Sequence, residues 1–190
     1  MTDFVPNYLE GKFAFRVKQA QHQTDPLLRA LKVTACPVLH IIDAMGGFGA
    51  DAFLCASQGH TVHSYEKNPA VYALLKAAHA HIQAQGLALN WTISEADALT
   101  QLTPKSADVV YLDPMFPGKK KSLPKKGMAL IQTLAPIEPD SLPLLEAALQ
   151  AARYKVVIKR PCKGPYYAGK KPTYSLRYQA IRYDIYATQT

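Results

Sequence analysis

One short segment limits the folds that are open to this chain, because an apolar run, a glycine-rich turn and a helix-forming stretch follow one another directly. The run covers residues 38–42, the turn covers 43–49 and the stretch covers 50–56. This order is typical of the first strand, loop and helix of an α/β sheet. The N–H groups at the start of such a helix face whatever the loop binds. The segment therefore predicts a ligand site at the carboxyl end of the first strand.

Strand-like runs and helical segments alternate along the rest of the chain. Residues 61–65 are predicted to form a short strand, and Asn68 and Pro69 then start a helix that ends near Gly86. Further predicted elements are strands at 87–93, 109–112 and 155–159, helices at 128–134 and 144–154, and alternating strands at 174–178 and 183–186. These elements predict an α/β fold with a mainly parallel, seven-stranded, Rossmann-like sheet, helices on both faces and an antiparallel C-terminal strand.

The 190 residues fit one core, with a short N-terminal segment, 1–37, packing on a domain at 38–190. Within that segment Phe13, Phe15 and Val17 recur at every second position, which suggests an entry strand. Residues 26–31 suggest a helix. We expect the two elements to cover one sheet edge or to form a roof over the ligand site.

Charge is distributed unevenly between the two parts of the chain. The formal net charge is +8, but residues 1–113 hold 8 basic and 10 acidic side chains, whereas residues 114–190 hold 14 basic and 4 acidic ones. A basic part joined to a nearly neutral one suits an enzyme that acts on a polyanion, because cations neutralise phosphates. The alternative, if charge is the only evidence, is a basic surface that serves solubility without a nucleic-acid partner.

The chain lacks the marks of a membrane or secreted protein. No apolar stretch approaches the roughly 20 residues that span a bilayer, and the acidic N-terminal residues do not fit a secretory signal. Three widely spaced cysteines without a CxxC pair favour reduced thiols, and the six histidines make no metal signature. We therefore expect a soluble protein of the cytoplasm that uses no metal.

The glycine-rich turn has partners elsewhere in the sequence that suit a nucleoside. Gly47 and Gly49 have no side chains that would block a ligand. Glu66 ends the second strand about twenty residues further on, where a carboxylate can hold both hydroxyls of a ribose. Asp97 follows the third strand, where it either accepts a hydrogen bond from an adenine amine or caps a helix. These residues predict a nucleoside-containing cofactor.

Two more carboxylates flank the turn. Asp43 ends the first strand, where it orients the turn or meets the amino-acid part of a cofactor, and Asp51 is a cofactor contact or a helix cap. A nicotinamide cofactor uses a similar turn, but the spacing Gly-Gly-x-Gly differs from G-x-G-x-x-G. S-adenosylmethionine also suits the motif at the fourth strand, because its sulfonium carries an activated methyl group that needs only a well-placed acceptor.

That motif, Asp-Pro-Met-Phe-Pro at 113–117, closes the fourth predicted strand and is suited to hold a flat base by its exocyclic amine. Such an amine is a poor nucleophile that gains positive charge as a methyl group arrives. The carboxylate of Asp113 and the carbonyl of Pro114 can accept hydrogen bonds from its two protons, and Phe116 can stack on the base. We therefore predict Asp113, Pro114 and Phe116 as the catalytic residues.

Cations follow this motif directly. The segment 118–126 is dense in lysine. Two further cations, Lys159 and Arg160, stand at the end of the fifth predicted strand, on the same edge of the sheet. These cations suit the phosphates of RNA, whereas a solvated linker is the alternative for 118–126. Lysines and tyrosines between 163 and 174 interleave as they often do on nucleic-acid-binding surfaces. The predicted RNA-binding residues are Lys119, Lys120, Lys121, Lys125, Lys126, Lys159 and Arg160.

In their order along the chain these motifs resemble the RsmJ family of bacterial methyltransferases. The matching segments are Asp-Ala-x-x-Gly-x-Gly-x-Asp-Ala-Phe at 43–53, Glu-Lys-Asn-Pro at 66–69, 110–117 with the lysines that follow, Val-Ile-Lys-Arg-Pro at 157–161 and Arg-Tyr-Asp-Ile-Tyr at 182–186. The resemblance implies a class I methyltransferase fold and S-adenosylmethionine as methyl donor. It also implies transfer to the N2 amine of a guanine in 16S (small-subunit) ribosomal RNA, as RNA or as the assembled subunit.

The same resemblance implies cofactor contacts at several positions. One departure is Ala50, because the family usually has an arginine before the helix aspartate. The alternatives are a methyltransferase that acts on an amine of another RNA or of DNA, and an inactive module that binds cofactor and RNA. The predicted cofactor-binding residues are Asp43, Gly47, Gly49, Ala50, Asp51, Glu66, Lys67, Ala96, Asp97 and Asp113.

Overall fold

The structure, a computed structural model, describes residues 5–20, 24–114, 134 and 139–188, which form helices around one seven-stranded sheet. Strands β1 to β5 run parallel, β7 is antiparallel to β5, and β6 is antiparallel to β7. The strand order is β3-β2-β1-β4-β5-β7-β6. The predicted fold class is therefore confirmed. The strands are β1 (His40–Asp43), β2 (Thr61–Glu66), β3 (Trp91–Glu95), β4 (Ala107–Leu112), β5 (Ala152–Pro161), β6 (Tyr174–Tyr178) and β7 (Ile181–Ala187).

Helices cover both faces of this sheet. On one face α1 to α4 enclose an apolar cluster that includes Leu28, Phe53 and Leu75, and on the other α5 and α6 enclose a second cluster around Leu145 and Ile158. Burial of this apolar surface is the main force that holds the layers together. The helices are α1 (Gly11–Gln19), α2 (Pro26–Leu31), α3 (Ala50–Ser57), α4 (Pro69–Ala84), α5 (Ala98–Gln101) and α6 (Leu142–Ala151), with a 3₁₀ turn at Tyr167–Gly169.

Local sequence signals explain where several helices begin. The side chain of Asn68 accepts hydrogen bonds from the N–H groups of Ala70 and Val71, and Pro69 is the first residue of α4, as predicted. Asp25 caps α2 in the same way. These caps fix the points at which the chain leaves a strand and enters a helix, so they also fix the loops at the carboxyl edge of the sheet.

Three predicted elements differ from the structure. Residues 11–19 form a helix and not an entry strand, because Phe13 and Val17, four residues apart, pack on the core while Phe15 is exposed. The third strand begins at Trp91 and not at residue 87. Helix α6 ends at Ala151, since Ala152 already pairs with β4. The helix predicted at 128–134 lies, except for residue 134, outside the described residues.

Within the described ranges, no helix has both the length and the apolar character needed to cross a membrane.

Candidate active site

The glycine-rich turn closes against the end of β2. The N–H of Gly46 donates to the carbonyl of Tyr65 at 2.8 Å, and the N–H of Gly47 donates to Oε2 of Glu66 at 2.9 Å. Gly49 has φ +84°, a left-handed conformation that disfavours any residue with a β-carbon. A β-carbon there would also lie 2.6 Å from the ring of Trp91. Backbone conformation and packing together therefore require glycine at position 49.

Glu66 is the residue that joins the turn to the start of α4. Its Oε1 accepts from the N–H of Asn68 at 2.8 Å, while its Oε2 accepts from Gly47. A carboxylate oxygen can accept more than one hydrogen bond. The carboxylate is therefore held at the carboxyl edge of the sheet, in the position from which ribose hydroxyls are held in sheets of this type.

Asp43 lies buried at the end of β1. Its carboxylate accepts from the N–H of Met45 and from the hydroxyl of Ser64, each at 3.3 Å. Burial outweighs these hydrogen bonds and raises the pKa of Asp43 to about 7, and the charges of Asp51 and Asp113 act in the same direction. The side chain orients the turn, which is one of the two roles that the sequence left open for it.

Asp51 lies in the first turn of α3 and does not cap the helix, whose N-cap is Gly49. Its Oδ2 accepts from the hydroxyl of Tyr111 at 2.8 Å and from Nζ of Lys159 at 2.9 Å. A guanidinium nitrogen of Arg16, on α1, lies 3.5 Å from Oδ1. Burial opposes ionisation, but the ammonium of Lys159 and the Arg16 charge prevail, so the pKa of Asp51 is lowered. Asp51 is therefore an ionised carboxylate on the wall of the site.

Asp113 follows β4 directly and shares Lys159 with Asp51. Its Oδ2 lies 2.8 Å from Nζ of Lys159. Burial and the neighbouring charge of Asp51 raise the pKa of Asp113, although Lys159 counteracts them. Pro114 is buried beside it. Phe116 and Lys119, Lys120, Lys121, Lys125 and Lys126 lie outside the described residues.

The loop after β3 completes the edge of the site. Asp97 caps α5 by accepting from the N–H of Leu99 at 2.9 Å, so the capping alternative describes its contacts in this structure. Nζ of Lys67 lies 4.0 Å from the Asp97 carboxylate. The N–H of Ala96 donates to the carbonyl of Glu66 at 3.1 Å, which places this loop beside the end of β2. Lys67, Ala96 and Asp97 thus lie together with Glu66 at the carboxyl edge of the sheet.

The two cations that end β5 have different surroundings from those that we predicted. Arg160 is 1% exposed and forms a two-pronged ion pair with Asp140 at 2.8 and 2.9 Å. An enclosed guanidinium of this kind stabilises the packing of the chain and has no surface to offer to RNA. Lys159 points into the site, toward Asp51 and Asp113. The prediction that Arg160 binds RNA is therefore corrected, whereas for Lys159 the structure shows contacts to two carboxylates where we predicted a contact to RNA.

Sequence reasoning missed three side chains of this region: Tyr111, Arg16 and Asp140. For Tyr111 a signal existed, because residues two apart on a strand lie on the same face and Tyr111 precedes Asp113 by two. For Arg16 and Asp140 we find no such signal, because their partners lie 35 and 20 residues away along the chain. Contacts of this kind are set by the packing of separate elements.

These features fit a nucleoside cofactor. The turn has no side chain at Gly47, where a β-carbon would meet nothing nearer than 3.9 Å, and it lies between the start of α3 and the carboxylate of Glu66. A seven-stranded sheet of this order, with a glycine turn after β1 and an acid ending β2, defines a Rossmann-like methyltransferase of class I. Among the described residues, no group of three or more histidine, cysteine or acidic side chains is placed to hold a metal.

Comparison with known proteins gives the family. The profile of a family described as putative SAM-dependent methyltransferases matches residues 2–188. The ribosomal RNA small subunit methyltransferase J of Nitrosococcus oceani is 37% identical over 96% of this chain and 75% of its own, and that of Rhodopseudomonas palustris is 35% identical over 95% and 85%. The chain belongs to the family of these small-subunit ribosomal RNA methyltransferases J, so the resemblance seen in the sequence is confirmed.

A solved structure supports the same assignment. A SAM-dependent methyltransferase from Neisseria gonorrhoeae superposes with a TM-score of 0.75, at 29% identity, over 98% of this chain and 75% of its own. The protein is a SAM-dependent methyltransferase, and its cofactor is S-adenosylmethionine.

Proposed function

We propose that this protein transfers a methyl group from S-adenosylmethionine to the exocyclic N2 amine of a guanine in 16S, small-subunit ribosomal RNA. The observation that carries the proposal is the position of Asp113, which stands at the end of β4 and is joined through Lys159 to Asp51 on α3. The carboxylate that would hold the base, Asp113, is therefore adjacent to a carboxylate that would line the cofactor site, Asp51. The relatives named small-subunit ribosomal RNA methyltransferase support the choice of substrate.

When bound, S-adenosylmethionine supplies a methyl group activated by a sulfonium. The residues that would hold it are Glu66, for the ribose, and the turn at 46–49, whose Gly47 leaves room for close approach. Asp43 and Asp51 would face its charged end. Because Asp51 is ionised and its side chain is only 12% exposed, its attraction for a cationic ligand is less screened than it would be in water.

The chemistry of this chain's own residues centres on the base amine. The carboxylate of Asp113 and the carbonyl of Pro114 would accept hydrogen bonds from the two amine protons. As the carbon–nitrogen bond forms, the nitrogen gains positive charge, which these acceptors stabilise more strongly than they stabilise the neutral base. The product amine then regains neutrality by losing one of those protons along the hydrogen bond to Asp113.

Exposed side chains beyond β5 would hold the RNA. Lys163 follows the strand end at the carboxyl edge, and the ring of Tyr166 is 40% exposed with the guanidinium of Arg182 5.1 Å from its centroid. A cation neutralises a phosphate and a ring can stack on a base. The relatives are bacterial, and bacteria make and use ribosomal RNA in the cytoplasm, so that compartment is part of the proposal.

The experiment uses small ribosomal subunits purified from a strain that lacks this gene. We expect labelled methyl groups to pass from S-adenosylmethionine to these subunits and to map to a guanine N2, with no label on subunits from the parent strain. Naked 16S RNA and duplex DNA serve as further acceptors. Label on DNA or on another RNA alone would overturn the substrate, and cofactor binding without any transfer would overturn the activity.

Replacement of Asp113 tests the role of the acceptor. Asp113→Asn should lower the rate of transfer about 100-fold to 1,000-fold, the range seen when one electrostatic group is lost from a transition state. Asp108→Asn is the matched control, because Asp108 lies on the same strand at the opposite edge, where it accepts from the N–H of His40. An Asp113→Asn protein with full activity would contradict the mechanism.

A further inference from the structure

We infer that Lys159 is a positioning residue of the methyl-transfer site, which holds Asp113 in place for the base and couples it to Asp51 on the cofactor side. This inference rests on the proposed function. It assigns Lys159 to the reaction itself, in place of the phosphate contact that its sequence suggested.

The first support is the geometry of one nitrogen. Nζ of Lys159 lies 2.9 Å from Oδ2 of Asp51 and 2.8 Å from Oδ2 of Asp113. An ammonium has three donors, so it can serve both carboxylates at once. The side chain is 26% exposed, which means that water competes only partly for these bonds. One side chain thus connects α3 with the end of β4.

The second support is the way in which the sheet places Lys159. Leu112 of β4 pairs with Ile158 of β5, so the next residues, Asp113 and Lys159, lie side by side where β4 ends and β5 continues. Tyr111 precedes Asp113 by two residues and donates to Asp51 from the same face. The contact is therefore a product of strand register, and other positions of β5 cannot provide it.

The third support is the charge balance of the cluster. Asp51 has Arg16 as a second cation and Tyr111 as a further donor, whereas Asp113 has Lys159 as its cation among the described residues. Removing Lys159 would leave Asp113 beside an ionised Asp51, with Arg16 still paired to Asp51 but with no cation on Asp113 itself among the described residues. Asp113 would then tend to take up a proton, and a protonated acid accepts hydrogen bonds poorly.

The pKa directions agree with this balance. Burial lowers and the two carboxylates raise the pKa of Lys159, and the carboxylates prevail, so the ammonium stays charged. Burial and Asp51 raise the pKa of Asp113, and Lys159 limits the rise. Without Lys159 the pKa of Asp113 rises further, so the acid limb of activity moves to higher pH. Among the described residues, the ionisable groups that face the cluster are Tyr8 from the segment before α1, Arg16 from α1, Asp51 and Cys55 from α3, Asp43 from β1, Tyr111 and Asp113 from β4 and Tyr183 from β7.

The test compares Lys159→Met and Lys159→Gln with Lys159→Arg. For the first two we expect kcat for methyl transfer to fall about 100-fold near neutral pH, as when a reacting group is misplaced, with partial recovery at pH 9. Lys159→Arg keeps the cation and should keep the acid limb where it is in wild type. Lys155→Met is the matched control, because Lys155 lies on the same strand but donates to the carbonyl of Lys32, away from the site. It should leave kcat and its pH profile unchanged.

A second measurement needs no RNA. Carbon-13 NMR titration of the aspartate carboxyl carbons, with Asp113→Asn to assign the Asp113 signal, should show Asp113 titrating at higher pH in Lys159→Met and Lys159→Gln than in wild type. If wild type transfers nothing to ribosomal subunits, the proposed function fails, but this titration still tests Lys159. An unchanged Asp113 titration, or equal loss of activity in Lys159→Arg and Lys159→Met, would overturn the inference.

Discussion

Gly49 and Trp91 are packed so closely that a β-carbon on Gly49 would lie 2.6 Å from Cζ2 of the indole ring. The ring is fixed in turn, because its Nε1–H donates to the hydroxyl of Ser64 at 2.9 Å. The cofactor turn is therefore shaped by a side chain from β3, and not by glycine flexibility alone.

This contact predicts the effect of Gly49→Ala. We expect the free energy of unfolding to fall by about 2–4 kcal/mol, since the left-handed backbone and the overlap with the side chains of Leu75 and Trp91 both act against a methyl group. The measurement is urea denaturation without cofactor. Gly59→Ala is the control, because Gly59 has φ +88° but a β-carbon there would meet no atom within 4 Å, so only the backbone cost of about 1 kcal/mol applies. Equal losses in the two variants would show that the ring contact is unimportant.

Glu66 should determine the affinity for the cofactor. Glu66→Gln removes the negative charge and leaves one of the N–H groups of Gly47 and Asn68 facing an amide N–H. We expect the affinity for S-adenosylmethionine to fall about 10-fold to 100-fold, which is the size expected for the loss of hydrogen bonds to a charged group. Isothermal titration calorimetry measures this affinity. Glu95→Gln is the control, since Glu95 pairs with Glu66 in the sheet but is exposed. Affinity unchanged in Glu66→Gln would contradict the ribose role.

Asp43 should make the stability of the cofactor-free protein depend on pH. Burial raises its pKa from 3.8 to about 7, so between these values the unfolded chain releases a proton that the folded chain keeps. Stability contributed by protonated Asp43 is present at low pH and is lost as pH rises through about 7. Asp43→Asn should therefore be more stable than wild type at pH 8, by no more than about 4 kcal/mol. Urea denaturation of both proteins at pH 4, 6 and 8 gives their free energies of unfolding. The same dependence of this free energy on pH in the two proteins would refute the role of Asp43.

Lys163 should contribute to RNA binding without affecting the cofactor. Lys163→Glu should raise KM for ribosomal subunits about threefold to tenfold and reduce the slope of log affinity against log salt by about one, as for the loss of one phosphate contact. Lys76→Glu reverses an exposed charge on α4 and should change neither quantity. Filter binding at several salt concentrations gives the salt slope, and initial rates of methyl transfer at several subunit concentrations give KM. A salt slope that stays at the wild-type value would exclude Lys163 from the RNA surface.

Local signals explain why so much of the fold was predictable. The cap at Asn68 and Pro69, the glycine turn and the apolar runs act over a few residues, so their order alone indicated the parallel sheet. The errors occurred where distant contacts override local preference. The alternation of Phe13, Phe15 and Val17 suggested a strand, but the segment packs as a helix, with Phe13 against Phe53. Alanine has a high helix propensity, yet Ala152 belongs to β5 because it pairs with Ala107 of β4.

The sequence by itself determined the fold class, the strand ends that carry Asp43, Glu66 and Asp113, and the family. Only the tertiary structure decided what the cations do. Lys159 and Arg160 are neighbours in the chain, but successive residues of a strand point to opposite faces. One therefore meets Asp51, 108 residues away, and the other meets Asp140. Sequence shows where a charge stands along the chain, whereas its partner depends on which elements the packed core brings together.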